Sequence, residues 1–344
     1  MTPTEQDTVR SWSSSLTGDV HVRLCVTQDE RSKELERFCA ALAGLAPRVV
    51  VAEQVLSGDA LPALGIGRHV SYHGVPLGTE LPAFLEVLRG SGQAQAVVPP
   101  LGAPASVPRL KLYVAQQCPH CPRVFATVAS MASELDVGLR VVEVGLFQEL
   151  AAADRAAAVP TLLVDGRVRL VGRVAPEDVE HLLTDPRQLG PGSLRLLLEK
   201  GNASALAAMM LERAQSFPAL VPLLCDATFS VRLGAMAVME EVAEAQPAVA
   251  AELAALLWER FEQVSDEVRG DLLYLFGTMG DQALAPRLRA VLEGEYSAQV
   301  KESAQDALDG LERSRLSANG TAYRQTGPAV SPRRPRLSVA GRTW

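Results

Sequence analysis

The feature that most constrains this chain is Cys118-Pro119-His120-Cys121, two cysteines separated by two residues where a strand hands over to a helix. Leu110–Ala115 reads as a strand that runs directly into the motif. Behind it Val124, Phe125, Val128, Met131 and Leu135 recur along one helical face. A thiol attacks only as its thiolate, and three features raise that fraction at Cys118. The unsatisfied N–H groups and positive end of the following helix face its sulfur. His120 can add a donor or a charge, and Pro119 fixes the helix entrance without removing a helical hydrogen bond. Cys118 is therefore the expected attacking residue. Cys121, one turn on and facing inward, is the expected resolving thiol, placed to displace a mixed disulfide formed at Cys118.

The competing reading is half of a structural zinc site, which needs four ligands. Of the five cysteines only this pair is close, and His69, His73 and His181 are not spaced as partners. No metal and no other cofactor is expected. Cys25, Cys39 and Cys225 sit in apolar surroundings and read as small core residues. A Cys-x-x-Cys beside a βαβ pattern reads as a redox pair.

Strands and helices alternate on both sides of the motif. Residues 18–92 contain strands at Val20–Val26, Arg48–Glu53 and His69–His73, with helices at Glu30–Leu45 and Leu81–Leu88. Prolines 99, 100, 104 and 108 mark a linker over 93–108. Residues 109–188 then follow the order β-α-β-(α)-β-β-α. Their hairpin turns at Asp165-Gly166, which suits the two positive φ angles of a type I′ turn. From 191 to 313 the composition shifts to Ala, Leu and Glu with helical spacing. Val231-Arg232, Val268-Arg269 and Val300-Lys301 each open an apolar helix there, 37 and 32 residues apart, a spacing typical of stacked helix pairs. Residues 1–17 and 316–344 are polar and are expected to be disordered, the second segment being basic through Arg333, Arg334, Arg336 and Arg342.

The net charge of −7 argues against a general nucleic-acid binder. No run approaches a membrane span, and Met1 to Thr17 lacks the apolar core of a secretory signal. A cytoplasmic setting is expected, in which structural disulfides are rare.

On these motifs, residues 109–188 resemble a thioredoxin/glutaredoxin-like domain, with Val159-Pro160-Thr161 similar to that family's cis-proline loop. Residues 18–185 together resemble the tandem thioredoxin-fold unit of protein disulfide oxidoreductases and of the N-terminal domain of AhpF-type alkyl hydroperoxide reductases. Tyr113-Val114, Pro122 and Leu146-Phe147-Gln148-Glu149 carry that closer match. So does the run Gly74-Val75-Pro76-Leu77-Gly78-Thr79-Glu80 in the first unit. The resemblance implies a cis Pro160 and a Val159 backbone that, with Thr161, receives the substrate. It also implies a buried proton acceptor at Glu80, lent by the first unit to the dithiol of the second. The region from 191 onward resembles HEAT-type repeats, which implies a protein-binding surface.

The expected fold is thus an α/β thioredoxin-like fold in tandem, followed by an all-α helical-repeat domain. The first unit has Thr27-Gln28-Asp29-Glu30 where a dithiol would fall, so it should be redox-silent. The expected activity is thiol–disulfide exchange with protein disulfides. A peroxiredoxin or a thioredoxin-reductase-like flavoprotein is the partner class the resemblance implies. The rival reading is an adaptor whose repeats bind a partner under control of a redox-sensing dithiol.

Overall fold

The computed structural model describes residues 1–58, 60–91 and 109–326, with side chains through residue 313. The expected linker at 93–108 and the tail from 327 lie outside the described residues. The chain divides into two compact units, Met1–Val242 and Ala243–Trp344.

The first unit opens with α1 (Pro3–Ser14), where a loose segment was expected. Two local features make it a helix. Thr2 and Glu5 form a reciprocal capping box, and Val9 and Trp12, three residues apart, are buried on one face. Then come β1 (Val20–Val26), α2 (Ser32–Leu45), β2 (Val49–Val55), β3 (Ala63–Ile66), β4 (Val70–His73) and α3 (Glu80–Gly90). The pattern repeats as β5 (Leu110–Val114), α4 (Cys121–Glu134), β6 (Leu139–Glu143), α5 (Gln148–Ala153), β7 (Thr161–Val164), β8 (Val168–Val171) and α6 (Pro176–Leu183).

Among the described residues, eight strands form one sheet, ordered β2-β1-β3-β4-β6-β5-β7-β8. Each half has the same internal order: a parallel βαβ pair, then an antiparallel hairpin on the far side of its first strand. The halves join through parallel pairing of β4 with β6, from Val70↔Leu139 to His73↔Val142. Strand β3 escaped the sequence reading because it is four residues long and holds Gly65, whose missing Cβ leaves room for the Arg23 guanidinium. The β7–β8 turn has φ of 50° at Asp165 and 70° at Gly166, the pair of positive angles that its sequence demands.

The core also crosses the join. Phe38, Phe84, Tyr72 and Phe125, from α2, α3, β4 and α4, pack edge-to-face in series at centroid separations of 5.8, 5.6 and 5.6 Å. On the other face of β5, Tyr113 packs with Val142, Phe147 and Leu163.

The first unit also includes α7 (Pro191–Glu199), α8 (Ala203–Arg213), α9 (Val221–Leu224) and the greater part of α10 (Phe229–Ala245). The division therefore does not fall at the compositional change near 188–191. Polar contacts tie these first helices to the sheet. The Asn202 side chain accepts from the Arg169 N–H at 2.8 Å and donates to the Arg169 carbonyl at 3.0 Å, continuing the edge of β8. Arg213 donates to the Thr184 carbonyl at 3.1 Å, and Arg167 pairs with Glu212.

The second unit contains α11 (Pro247–Ala251), α12 (Ala254–Arg260), α13 (Asp266–Met279), α14 (Ala285–Glu293) and α15 (Ala298–Thr326). Helix α15 runs through the start of the expected loose tail, and the chain has no proline there before Gly327-Pro328. Each of the three valines of the sequence repeat is buried near the start of its helix. Arg232 reaches back to the carbonyls of Asp226 and Ala227, and Arg269 to those of Phe261 and Glu262. In these two cases the repeated cation closes the segment before its own helix. Among the described residues no helix is long and apolar enough to cross a membrane.

Candidate functional site

Strand β5 delivers Cys118 to the end of the sheet, and α4 begins three residues later with Cys121. The two are joined as a disulfide with Cα atoms 5.5 Å apart, an ordinary bridge separation. Cys118 lies at the edge of exposure at 9%, whereas Cys121 is fully buried. The Cys121 N–H points at the Cys118 sulfur at 3.2 Å, so one of the helix's unsatisfied donors is aimed there. His120 is the N-cap and Pro122 takes the first turn. Pro119 therefore sits in the approach turn, outside the helix, which corrects its expected place at the helix entrance. Pro119 and His120 are both exposed.

The Val159–Pro160 peptide bond is cis, and the Val159 carbonyl oxygen lies 3.9 Å from the Cys118 sulfur. Thr161 was expected to meet substrate, but it is buried. Its hydroxyl donates to the Ala158 carbonyl at 2.6 Å, so it shapes the proline turn from inside.

The first half of the sheet grips the dithiol loop. Thr79 donates its N–H and its hydroxyl to the Gln116 carbonyl, each at 2.9 Å, and its hydroxyl is also 3.0 Å from the Cys118 carbonyl. Gln116 returns a bond to the Val75 carbonyl at 3.1 Å. Gly78 is required here: its φ is +61°, and a Cβ would lie 2.6 Å from the Gln116 carbonyl oxygen. Glu5 of α1 accepts from the Gly78 N–H at 2.9 Å.

Glu80, which starts α3, is fully buried. Neither of its carboxyl oxygens nor the Tyr72 hydroxyl has a well-formed hydrogen bond among the described residues. Burial, and then the charge of Glu143, push Glu80 up to about 8, with the nearby Tyr72 hydroxyl offsetting only part of this. Glu143 has no place in the sequence reading. It ends β6 and is buried, but it accepts from the N–H groups of Gly145 and Leu146 at 3.0 and 2.8 Å. A strand-ending acid two residues before a glycine is the only signal that could have marked it.

His73, at the end of β4, is likewise buried. Burial is the main cause holding its pKa at about 3, so the ring is neutral and Nδ1–H donates to the Pro62 carbonyl at 3.0 Å. Cys25 and Cys39 are buried thiols whose pKa values burial raises, that of Cys39 to about 12; Cys225 is only half-buried. Among the described residues no three His, Cys, Asp or Glu side chains gather as metal ligands.

The thioredoxin domain family matches residues 109–184. Characterised proteins give no significant match. Among solved structures, a mutant of the alkylhydroperoxide reductase AhpF from Enterococcus faecalis is 20% identical with a TM-score of 0.43, over 53% of this chain and 99% of that one. The NTD_N/C domain of that protein gives 22% and 0.41 over the same shares. A protein disulfide oxidoreductase from Aeropyrum pernix gives 15% and 0.43, over 53% of this chain and 92% of that one. The first half of the chain carries a thioredoxin-like mixed α/β sheet with a Cys118–Cys121 pair, and a helical region follows it.

Proposed function

We propose that this chain is a thiol–disulfide oxidoreductase of the protein-disulfide type, with Cys118 as nucleophile and Cys121 as resolving thiol. The observation that carries the reading is the asymmetry of the pair. One sulfur is at the edge of exposure beside a backbone carbonyl and a helix N–H, while the other is sealed inside. In the reducing direction the Cys118 thiolate attacks a substrate disulfide. A mixed disulfide forms, and the first substrate sulfur leaves as a thiolate that takes up a proton. Deprotonated Cys121 then attacks the Cys118 sulfur and releases the second substrate thiol. Two electrons pass to the substrate, and the chain is left with its own disulfide.

In this reading Val159 presents backbone to the bound segment and Pro160 holds it there. His120 and Pro119 face the incoming partner. Glu80 accepts the Cys121 proton from inside, a role its raised pKa fits. Tandem membership with protein disulfide oxidoreductases and the reductase N-terminal domain, and a peroxiredoxin or flavoprotein partner in the cytoplasm, belong to the same proposal. The helical repeats serve as a protein-binding surface. Phe229 and Leu233, four residues apart on α10, are each more than half exposed and support this part.

The test is catalytic reduction of a protein disulfide such as insulin by the reduced chain with an external thiol. Cys118→Ser should abolish turnover, and Cys121→Ser should trap a mixed disulfide through Cys118. Oxidation that goes once to completion without turnover, and alters only partner affinity, would replace the enzyme by a redox-sensing adaptor.

A further inference from the structure

Beside the dithiol lies a groove of about 870 Å3, whose lining includes Pro119, His120, Arg123, Arg173, Val174 and Glu177. It adjoins the exposed Pro119-His120 turn, which follows Cys118 directly in the chain. Arg123, on the first turns of α4, and Arg173, between β8 and α6, are both exposed. Neither has an ion pair or side-chain hydrogen bond among the described residues. Other exposed arginines, Arg10 with Asp7 and Arg167 with Glu212, already sit against a carboxylate of this chain. The chain as a whole carries −7, yet this groove presents two unpaired guanidinium groups and a histidine against one carboxylate.

We infer that Arg123 and Arg173 select partner proteins whose reactive disulfide is flanked by acidic residues. This rests on the proposed exchange function and names the substrate class of the same site. The physics is charge complementarity. Guanidinium groups left without a carboxylate are free to pair with one from a partner, and an exposed complementary patch speeds encounter and fixes register more than it adds raw affinity. The chemical step is unchanged: the partner's disulfide breaks, one sulfur bonds to Cys118, and the other leaves as a thiolate. Carboxylates beside the first sulfur are held by the two arginines while that bond forms.

The experiment uses the full reduced chain and two disulfide-bridged peptides of equal length. One has Asp and Glu beside its cysteines, and the other has Asn and Gln at the same places. Oxidised glutathione and a small uncharged disulfide complete the set. The acidic peptide should react about tenfold faster than its amide twin at low ionic strength, with the ratio shrinking toward one in high salt. Arg123→Gln with Arg173→Gln should bring the ratio near one. Glu177→Gln, which removes the groove's carboxylate, should raise it, a gain that misfolding cannot produce.

Equal rates for the two peptides, with brisk exchange of both, overturn the inference and leave the exchange function standing. Failure with every disulfide, the uncharged one included, brings down both. A preference for oxidised glutathione over the acidic peptide, lost in the double variant, also overturns the inference, because the groove would then read a small molecule.

Discussion

The two halves of the sheet place the same kind of loop at the same point. The first runs from the end of β1 into α2, the second from the end of β5 into α4. In the second loop a helix N–H is aimed at the Cys118 sulfur. In the first the position is already filled by a carboxylate. The Asp29 carboxylate accepts from the Arg31 N–H at 2.9 Å and from its guanidinium at 2.6 to 3.1 Å, while Thr27 and Ser32 bond each other reciprocally. Each loop is also gripped by the opposite half. Thr79 holds the dithiol loop, whereas Arg31 reaches out to the Leu146 carbonyl at 3.0 Å, Glu149 at 2.6 Å and the face of Phe147 at 4.1 Å. The difference lies in what is left unsatisfied. Every charge at the silent loop has a partner, but the active side keeps Glu80 buried and unbonded. A buried polar group left unmet is a candidate for chemistry.

Glu80→Gln is the sharpest way to break that contrast, and it carries the largest expected effect. Glu80 holds its proton up to about pH 8 in the folded chain, against an ordinary value near 4.5. The folded state therefore binds more protons than the unfolded state between those values, so this group's contribution to stability is full below the lower value and is lost as pH rises toward the upper one. The expected loss is about 1.4 kcal/mol per pH unit across that window. In Glu80→Gln that part of the slope should vanish, read from denaturant midpoints at pH 5, 6.5 and 8. An unchanged slope would mean that Glu80 is as well satisfied as the charges of the silent loop.

What was legible beforehand divides along the same lines. The dithiol, its strand and helix, and the Asp165-Gly166 turn were all readable because each is written within a few consecutive residues. The reading of Glu80 came through a resemblance, since nothing in its own neighbourhood distinguishes it from an ordinary helix-opening acid. Arg31 drew no notice because its partners lie 115 and 118 residues away. His73 and Glu143 were missed for a similar reason: they are buried only because β4 and β6 become neighbours, which periodicity along one strand does not reveal. The expected break near 188–191 followed composition, whereas contacts such as those of Asn202 with Arg169 and Arg213 with Thr184 join the first helices to the sheet across it.

Arg31→Ala tests whether the silent loop is a structural clamp. It removes several charge-assisted bonds and a cation–π contact from a side chain 22% exposed, and should cost about 2 kcal/mol in chemical denaturation. Exchange by the dithiol should persist at a temperature where the variant remains folded. Thr79→Val is the counterpart on the active side. It deletes one hydroxyl that bonds two carbonyls and should cost about 1 kcal/mol, but here exchange should also slow, because the Cys118 backbone loses its anchor. If Thr79→Val lowers stability without touching the exchange rate, the two loops are gripped for the same purpose and the distinction between them fails.

Asp29→Asn carries the smallest expected effect and tests the central analogy, a fixed carboxylate where the other half places a sulfur. The hydrogen bond from Arg31 is the largest cause acting on Asp29 and holds its carboxyl below the ordinary value of 3.8. A depressed acid contributes stability that is fully present above its ordinary value and lost as pH falls through the depressed one. Asparagine keeps the shape and its one carbonyl oxygen can still accept from the Arg31 N–H, so the charge at the start of α2 and the second acceptor facing the Arg31 guanidinium are what is removed. The cost should be about 0.5 kcal/mol at neutral pH, and it should disappear in acid, where wild type and variant converge. A cost that persists undiminished below pH 3 would assign Asp29 a purely steric role, and the filled helix terminus would then say nothing about what its twin offers to Cys118.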